Sequence, residues 1–336
     1  MDNLNLSRRI SGGRDGEKNT CRSGQFGRLA FLYPGQGVQT AGMGKDFYEN
    51  SVLARDVFDR ASGTLGLDMK ELCFEKNDRL DLTEYTQAAL VTTYLAITKE
   101  LENRGVRADL TAGLSLGEYA AIAAAGGMMD MQAVKLVRKR GILMQNAVPA
   151  GEGAMCAVLS LSEKLIEQVL EDMEDVTIAN YNCPGQIVIT GKTDQVMLAK
   201  EKLEAAGAKR VIMLNVSGPF HSPLLREAGD ALRVEMEGME FAALHIPYIT
   251  NVTAKKVTDS GEIRELLARQ VSSPVRWMQS METLLAEGVD TFLEIGPGRT
   301  LAGFMRKIAP EAKVLQAAKW EDLERVAAEL ELRKFM

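Results

Sequence analysis

Histidine is nearly absent from this chain. Only His221 and His245 occur among 336 residues, so few positions can supply an imidazole base or ligand. Cysteine is scarce as well. The four, at positions 21, 73, 156 and 183, show neither metal-ligand nor disulfide-framework spacing and read as ordinary thiols of a reducing cytosol. No apolar run reaches the length of a membrane span and no secretory signal core opens the chain, so a cytoplasmic protein with no membrane partner is expected. Basic charge is not in excess. Lys and Arg number 40 against 46 Asp and Glu, and a net charge of −6 argues against a nucleic-acid partner. What remains, 46% hydrophobic and 26% charged residues, suits one large or two smaller globular domains.

Residues 1–28 differ in composition, with Ser, Gly, Asn and Arg prominent, and are expected to form a disordered N-terminal extension. Their arginines also fit an organellar transit peptide, against which Asp2, Asp15 and Glu17 weigh. A short apolar strand over 28–33 then runs into the glycine-rich loop Pro34-Gly35-Gln36-Gly37 and a helix near 45–61. The loop lacks both the G-x-G-x-x-G and the Walker spacing of a phosphate cradle, and can equally lend a backbone amide to an oxyanion site.

The most informative stretch is 108–121. A buried strand ends at Leu110–Ala112 and an alanine-rich helix starts at Glu118, with Gly113-Leu114-Ser115-Leu116-Gly117 between them. This G-x-S-x-G pattern suits a strand-to-helix reversal too sharp for side chains on either flank of the serine. Such a turn thrusts the hydroxyl outward and sets the amide of Leu116 at a helix N-terminus, where unpaired N–H groups attract developing negative charge. The same pattern also occurs by chance, so other parts of the chain must decide.

Helices are predicted at 85–101 and 131–145. In the second, Ala133, Leu136, Val137, Leu143 and Met144 recur at spacings of three and four, and Arg140 shares that inward face. A buried guanidinium needs an anion, either an acid of the protein itself or a substrate carboxylate held by two parallel N–H bonds. His221, in a loop between a strand end and a helix opening at Pro223, is the candidate base; His245 has apolar neighbours and reads as structural.

Residues 153–217 follow the order β-α-β-β-α-β, with Ser162 and Thr193 as helix caps and Cys183-Pro184-Gly185 as a hairpin turn. Beyond them, strands at 248–251 and 291–295 alternate with helices at 261–270, 275–287 and 320–334. Alternation of this kind predicts an α/β fold with a mainly parallel sheet covered on both faces.

The ordered set of motifs resembles the malonyl-CoA:acyl carrier protein transacylases. It comprises Pro34–Gly37, Gly113–Tyr119, Arg140-Gly141 with Met144-Gln145, Asn180-Tyr181-Asn182, Gly218–Ser222, Asn251-Val252-Thr253, Gln270 with Pro274–Trp277, and Glu294–Gly298. The resemblance spans about 29–305. It implies an α/β-hydrolase-like catalytic domain, 29–152 and 218–336, with a ferredoxin-like (βαββαβ) subdomain at 153–217. It further implies Ser115 as nucleophile, His221 as base, Gln270 as the residue whose backbone carbonyl orients the histidine, and the amides of Gln36 and Leu116 as oxyanion hole. Arg140 would hold the malonyl carboxylate. The expected activity is transfer of malonyl from malonyl-CoA to the phosphopantetheine thiol of acyl carrier protein in fatty-acid synthesis, by a monomer with no cofactor and no metal. Two departures stand out: Leu114 where the family has histidine, and Ala88 where it tends to have proline. Phe220 would crowd substituents on the malonyl α-carbon, and Lys135, Arg138 and Lys139 would form a basic patch for an acidic carrier. A polyketide-type acyltransferase, a serine hydrolase and a non-catalytic carrier-binding paralogue are the alternatives.

Overall fold

Residues 27–216 and 218–331 are described by a computed structural model. The expected disordered extension falls almost wholly outside them, and β1 (Arg28–Tyr33) begins at its last residue. One long helix near 45–61 is expected, but the structure has two, α1 (Lys45–Asn50) and α2 (Val52–Leu65). The break is at Ser51, whose extended backbone leaves the first helix and whose hydroxyl accepts the Ala54 amide of the second. The chain continues through α3 (Met69–Phe74), α4 (Thr83–Asn103), β2 (Leu110–Gly113), α5 (Gly117–Ala124) and α6 (Asp130–Asn146).

There follow β3 (Gly153–Leu159), α7 (Glu163–Glu171), β4 (Val176–Cys183), β5 (Gln186–Lys192), α8 (Thr193–Ala205) and β6 (Arg210–Met213). Ser162 caps α7 as expected. Thr193 does not cap α8: Lys192 holds that position, and the Thr193 hydroxyl donates to Gly151 O at 2.7 Å. A 3-10 turn at Pro223–Leu225 leads into α9 (Arg226–Glu235), β7 (Tyr248–Ile249), β8 (Lys256–Val257), α10 (Ile263–Gln270) and α11 (Trp277–Ala286). β9 (Val289–Ile295), α12 (Thr300–Ile308), β10 (Lys313–Ala317) and α13 (Asp322–Glu331) complete the described chain. Sequence reasoning missed α3, β8 and β10, all short.

Two separate sheets result. The larger has the order β10-β9-β1-β2-β7-β8 and is parallel except for the β7–β8 pair. Successive residues of β1 enter opposite cores: Leu29, Phe31 and Tyr33 one, Ala30 and Leu32 the other. Both faces are therefore covered, which is why this strand reads as an unbroken apolar run. The smaller sheet, β4-β5-β3-β6, is antiparallel throughout. Val158, Ile166, Leu170, Ile189 and Val196 fill its own core, while Met155, Ala157, Ala179 and Val188 on the opposite face join the main core. A short strap fastens the sheets: Tyr181 N–H donates to Val275 O at 2.9 Å and Val275 N–H to Ala179 O at 2.8 Å. Cys73, Cys156 and Cys183 are buried and unpaired, and burial raises each thiol pKa.

Candidate active site

The turn from β2 into α5 leaves no room for side chains on its flanks. A Cβ on Gly113 would lie 2.0 Å from the Gly117 carbonyl carbon, and one on Gly117 would lie 2.2 Å from Tyr33 O. Between them Ser115 adopts φ +53°, a left-handed conformation costing a non-glycine residue about 1 kcal/mol or more. Asn251, just beyond β7, holds the turn from both ends. Its Oδ1 accepts the Ser115 amide at 2.6 Å, and its Nδ2 donates to Gly113 O at 2.7 Å.

His221 stands opposite, itself at φ +62° and almost fully buried. Its Nδ1 lies 2.9 Å from Gln270 O, and its Nε2 lies 2.7 Å from Ser115 Oγ. A carbonyl can only accept, so Nδ1 carries the proton and Nε2 is left to accept from the serine hydroxyl. Burial foremost, and then the charge of Arg140, lower the His221 pKa to about 4. The imidazole is thus neutral near pH 7, as a base must be. His245 is exposed and covers Gly126, far from this chemistry in role: its amide donates to Ala125 O at 2.8 Å.

Arg140 does face inward from α6, at 1% exposure. Its helix can approach α4 because residue 141 is glycine; a Cβ there would meet the Glu84 Cα at 2.7 Å. The guanidinium donates through Nη1 to Gln87 Oε1 at 2.8 Å, and through Nη2 to Gln270 Oε1 and Ser115 Oγ, each at 3.0 Å. All three acceptors are uncharged, and Nε has no partner among the described residues. Of the two readings of Arg140, an internal ion pair is not formed among the described residues. Burial lowers its pKa from the ordinary arginine value.

Leu116 lies within this turn, and Gln36 is on the loop after β1. The loop carrying Gln36 rests on the serine turn, since a Cβ on Gly35 would be 2.9 Å from Leu114 Cδ2 and 3.2 Å from Leu114 O. Leu116 is the N-cap residue of α5, and the Gln36 side chain donates to Thr83 Oγ1 at 3.2 Å. Leu114 packs its side chain into the second apolar core, and Phe220 packs into the first.

Sequence reasoning missed three members of this cluster: Gln87, the role of Asn251, and Glu118. The last is a fully buried carboxylate whose one available signal was its place amid alanines, three residues after the serine. The proposed basic patch is largely neutralised. Arg138 pairs with Glu84 and stacks 4.3 Å over the Tyr85 ring, and Lys139 lies 3.3 Å from Glu235. Among the described residues no group of acids, cysteines and histidines could hold a metal, and no helix is long and apolar enough to cross a membrane.

A hydroxyl facing a neutral, carbonyl-oriented imidazole is equipped for nucleophilic acyl transfer, and the adjacent guanidinium is equipped to receive an anionic acyl group. The sequence profile described as acyl transferase domain matches residues 30–319. A malonyl CoA-acyl carrier protein transacylase of Bacillus subtilis is 44% identical over 302 residues, 88% of this chain and 95% of its own length. The crystal structure of a malonyl CoA-acyl carrier protein transacylase from Clostridium perfringens superposes with a TM-score of 0.89 at 40% identity, covering 92% of this chain and 98% of that one. A malonyl-transacylase solved in complex with a type II PKS acyl-carrier protein superposes at 0.87 with 37% identity, over 90% of this chain and 99% of that one.

Proposed function

The chain belongs to the malonyl-CoA:acyl carrier protein transacylase family of acyltransferases, and we propose that it moves malonyl from malonyl-CoA to the phosphopantetheine thiol of an acyl carrier protein through an ester on Ser115. One observation carries this reading. Ser115 Oγ lies 2.7 Å from His221 Nε2 and 3.0 Å from a guanidinium nitrogen of Arg140. Base and anion clamp therefore meet at the nucleophile itself.

In the first half-reaction His221 Nε2 takes the serine proton as Oγ attacks the thioester carbonyl. The amides of Gln36 and Leu116 hold the resulting oxyanion, and coenzyme A leaves with the proton returned by His221. Arg140 keeps the malonyl carboxylate in place while the carrier thiol enters. His221 then removes the thiol proton, and collapse of the second tetrahedral intermediate regenerates Ser115. Phe220, next to the base, narrows the space for α-substituted malonyl groups. We assign residues 29–152 and 218–336 to an α/β-hydrolase-like domain and 153–217 to a ferredoxin-like subdomain, which the strand order β4-β5-β3-β6 supports. The same reading makes the protein a cytoplasmic monomer that needs no cofactor.

Mass spectrometry of the acyl-enzyme after exposure to a panel of coenzyme A thioesters tests the proposal. The wild type should carry malonyl on Ser115 in preference to acetyl. Charge-assisted bonds of about 1.5–3 kcal/mol correspond to roughly 10- to 100-fold, and Arg140→Ala should lose that much preference. Retention of the full malonyl preference by that variant would reject the clamp, and release of malonate to water in place of transfer to thiol acceptors would make the protein a hydrolase.

A further inference from the structure

Glu118 is buried completely, three residues along α5 from the nucleophile, and the transfer chemistry has no use for it as acid or base. No described hydrogen bond joins it to Ser115 Oγ or to His221. Instead a single oxygen, Oε2, accepts from two residues: the Asn251 amide at 3.2 Å and the Gln270 side-chain Nε2. Those two residues in turn hold the serine turn, His221 and the Nη2 side of the Arg140 guanidinium. Asn251 clamps Ser115 N–H and Gly113 O. Gln270 donates from Nε2 to Ser115 O at 3.0 Å, accepts from Arg140 at Oε1, and orients His221 through its backbone carbonyl.

A glutamine amide has one accepting and one donating end, and its partners decide which way it faces. Here Oε1 faces a guanidinium, which only donates, while Nε2 faces a backbone carbonyl and Glu118 Oε2. The reverse orientation would set Oε1 against two oxygens and the NH2 against a cation. Burial pushes the Glu118 carboxyl up to about 7, against the opposing pull of the bonds from Gln270 and Asn251 and of the Arg140 charge.

We propose that Glu118 is a positioning residue: by fixing Gln270 and Asn251 from one oxygen, it sets where Arg140 stands relative to Ser115, and so determines the preference for a carboxylate-bearing acyl group. This rests on the reading of Arg140 as the carboxylate clamp. A role in stability alone would lower the amount of folded protein and depress all acyl groups alike. A positioning role must alter their ratio.

The test compares Glu118→Ala and Glu118→Asp with wild type, measuring kcat/KM for acyl-enzyme formation with malonyl-CoA and acetyl-CoA, with Tm in parallel. Aspartate keeps the carboxyl group but withdraws the oxygen by one methylene, and serves if the alanine variant does not fold. Misplacement on the scale of 1 Å can cost about 100-fold. The malonyl rate should fall by that order and the acetyl rate far less, so that the ratio drops about tenfold or more. In an Arg140→Ala background the same substitutions should leave the ratio unmoved, because the group they position is gone. An unchanged malonyl-to-acetyl ratio in the folded variants would overturn the inference, as would an equal fall of both rates. If Arg140→Ala alone leaves the preference intact, the clamp itself has failed; if it abolishes the preference while the Glu118 variants keep it, only the positioning role has failed.

Discussion

The parallel and antiparallel sheets of this molecule are both well packed, yet only one of them gathers the loops of the candidate site. In the parallel sheet β1, β2 and β7 run the same way, so their C-terminal ends open onto one rim. The loop with Gln36 follows β1, the turn with Ser115 follows β2, and Asn251 follows β7. The antiparallel sheet sends neighbouring ends to opposite sides and cannot gather its loops in this way. It contributes no described hydrogen bond to Ser115, His221 or Arg140. Its role is as a buttress: a Cβ on Gly153 would lie 2.2 Å from Pro219 Cδ, two residues before His221, and the Val275 strap ties its β4 to the segment after Gln270. Parallel strands converge functional groups, and the antiparallel sheet keeps them in place.

Paired substitutions, one in each region, break this comparison most directly. Ser115→Ala should remove malonyl-enzyme entirely and lower transfer by on the order of 10⁴-fold or more, with Tm little changed, as read by mass spectrometry and thermal unfolding. Ile189→Ala, at a fully buried position of β5, should do the reverse. It should cost about 2–5 kcal/mol in denaturant unfolding while the remaining folded enzyme acylates at the wild-type rate. A large loss of specific activity in that variant would give the small sheet a direct catalytic part.

A pH series sharpens the same contrast with a smaller effect. His221 is neutral in the folded protein down to about pH 4, but regains its ordinary value of 6.5 on unfolding. Between those values the unfolded chain binds the extra proton, so this contribution is fully present above 6.5 and is lost as pH falls through 4. Its full size is about 3 kcal/mol. The stability difference between pH 7 and pH 4 should therefore be larger in wild type than in His221→Gln, by up to that amount. Equal slopes in the two proteins would mean that His221 is not held neutral.

What could be read from the sequence alone is what short-range sterics and periodicity dictate. Two glycines around a serine between a strand and a helix imply a turn with no space for a side chain, and Gly113 and Gly117 have none. Spacings of three and four along α6 put Arg140 on the buried face, where it is found. Elements shorter than about two helical turns carry too little pattern to be seen, which hid α3, β8 and β10. Only the tertiary structure decided who partners whom. Whether Arg140 meets an acid or an amide, whether Lys139 is free or faces Glu235, and that Glu118 binds Gln270 from 152 positions away depend on packing between distant segments. A burial pattern in sequence tells which side of a helix leaves water, but the complementary group arrives from elsewhere in the chain, and its identity is settled only when the segments are packed together.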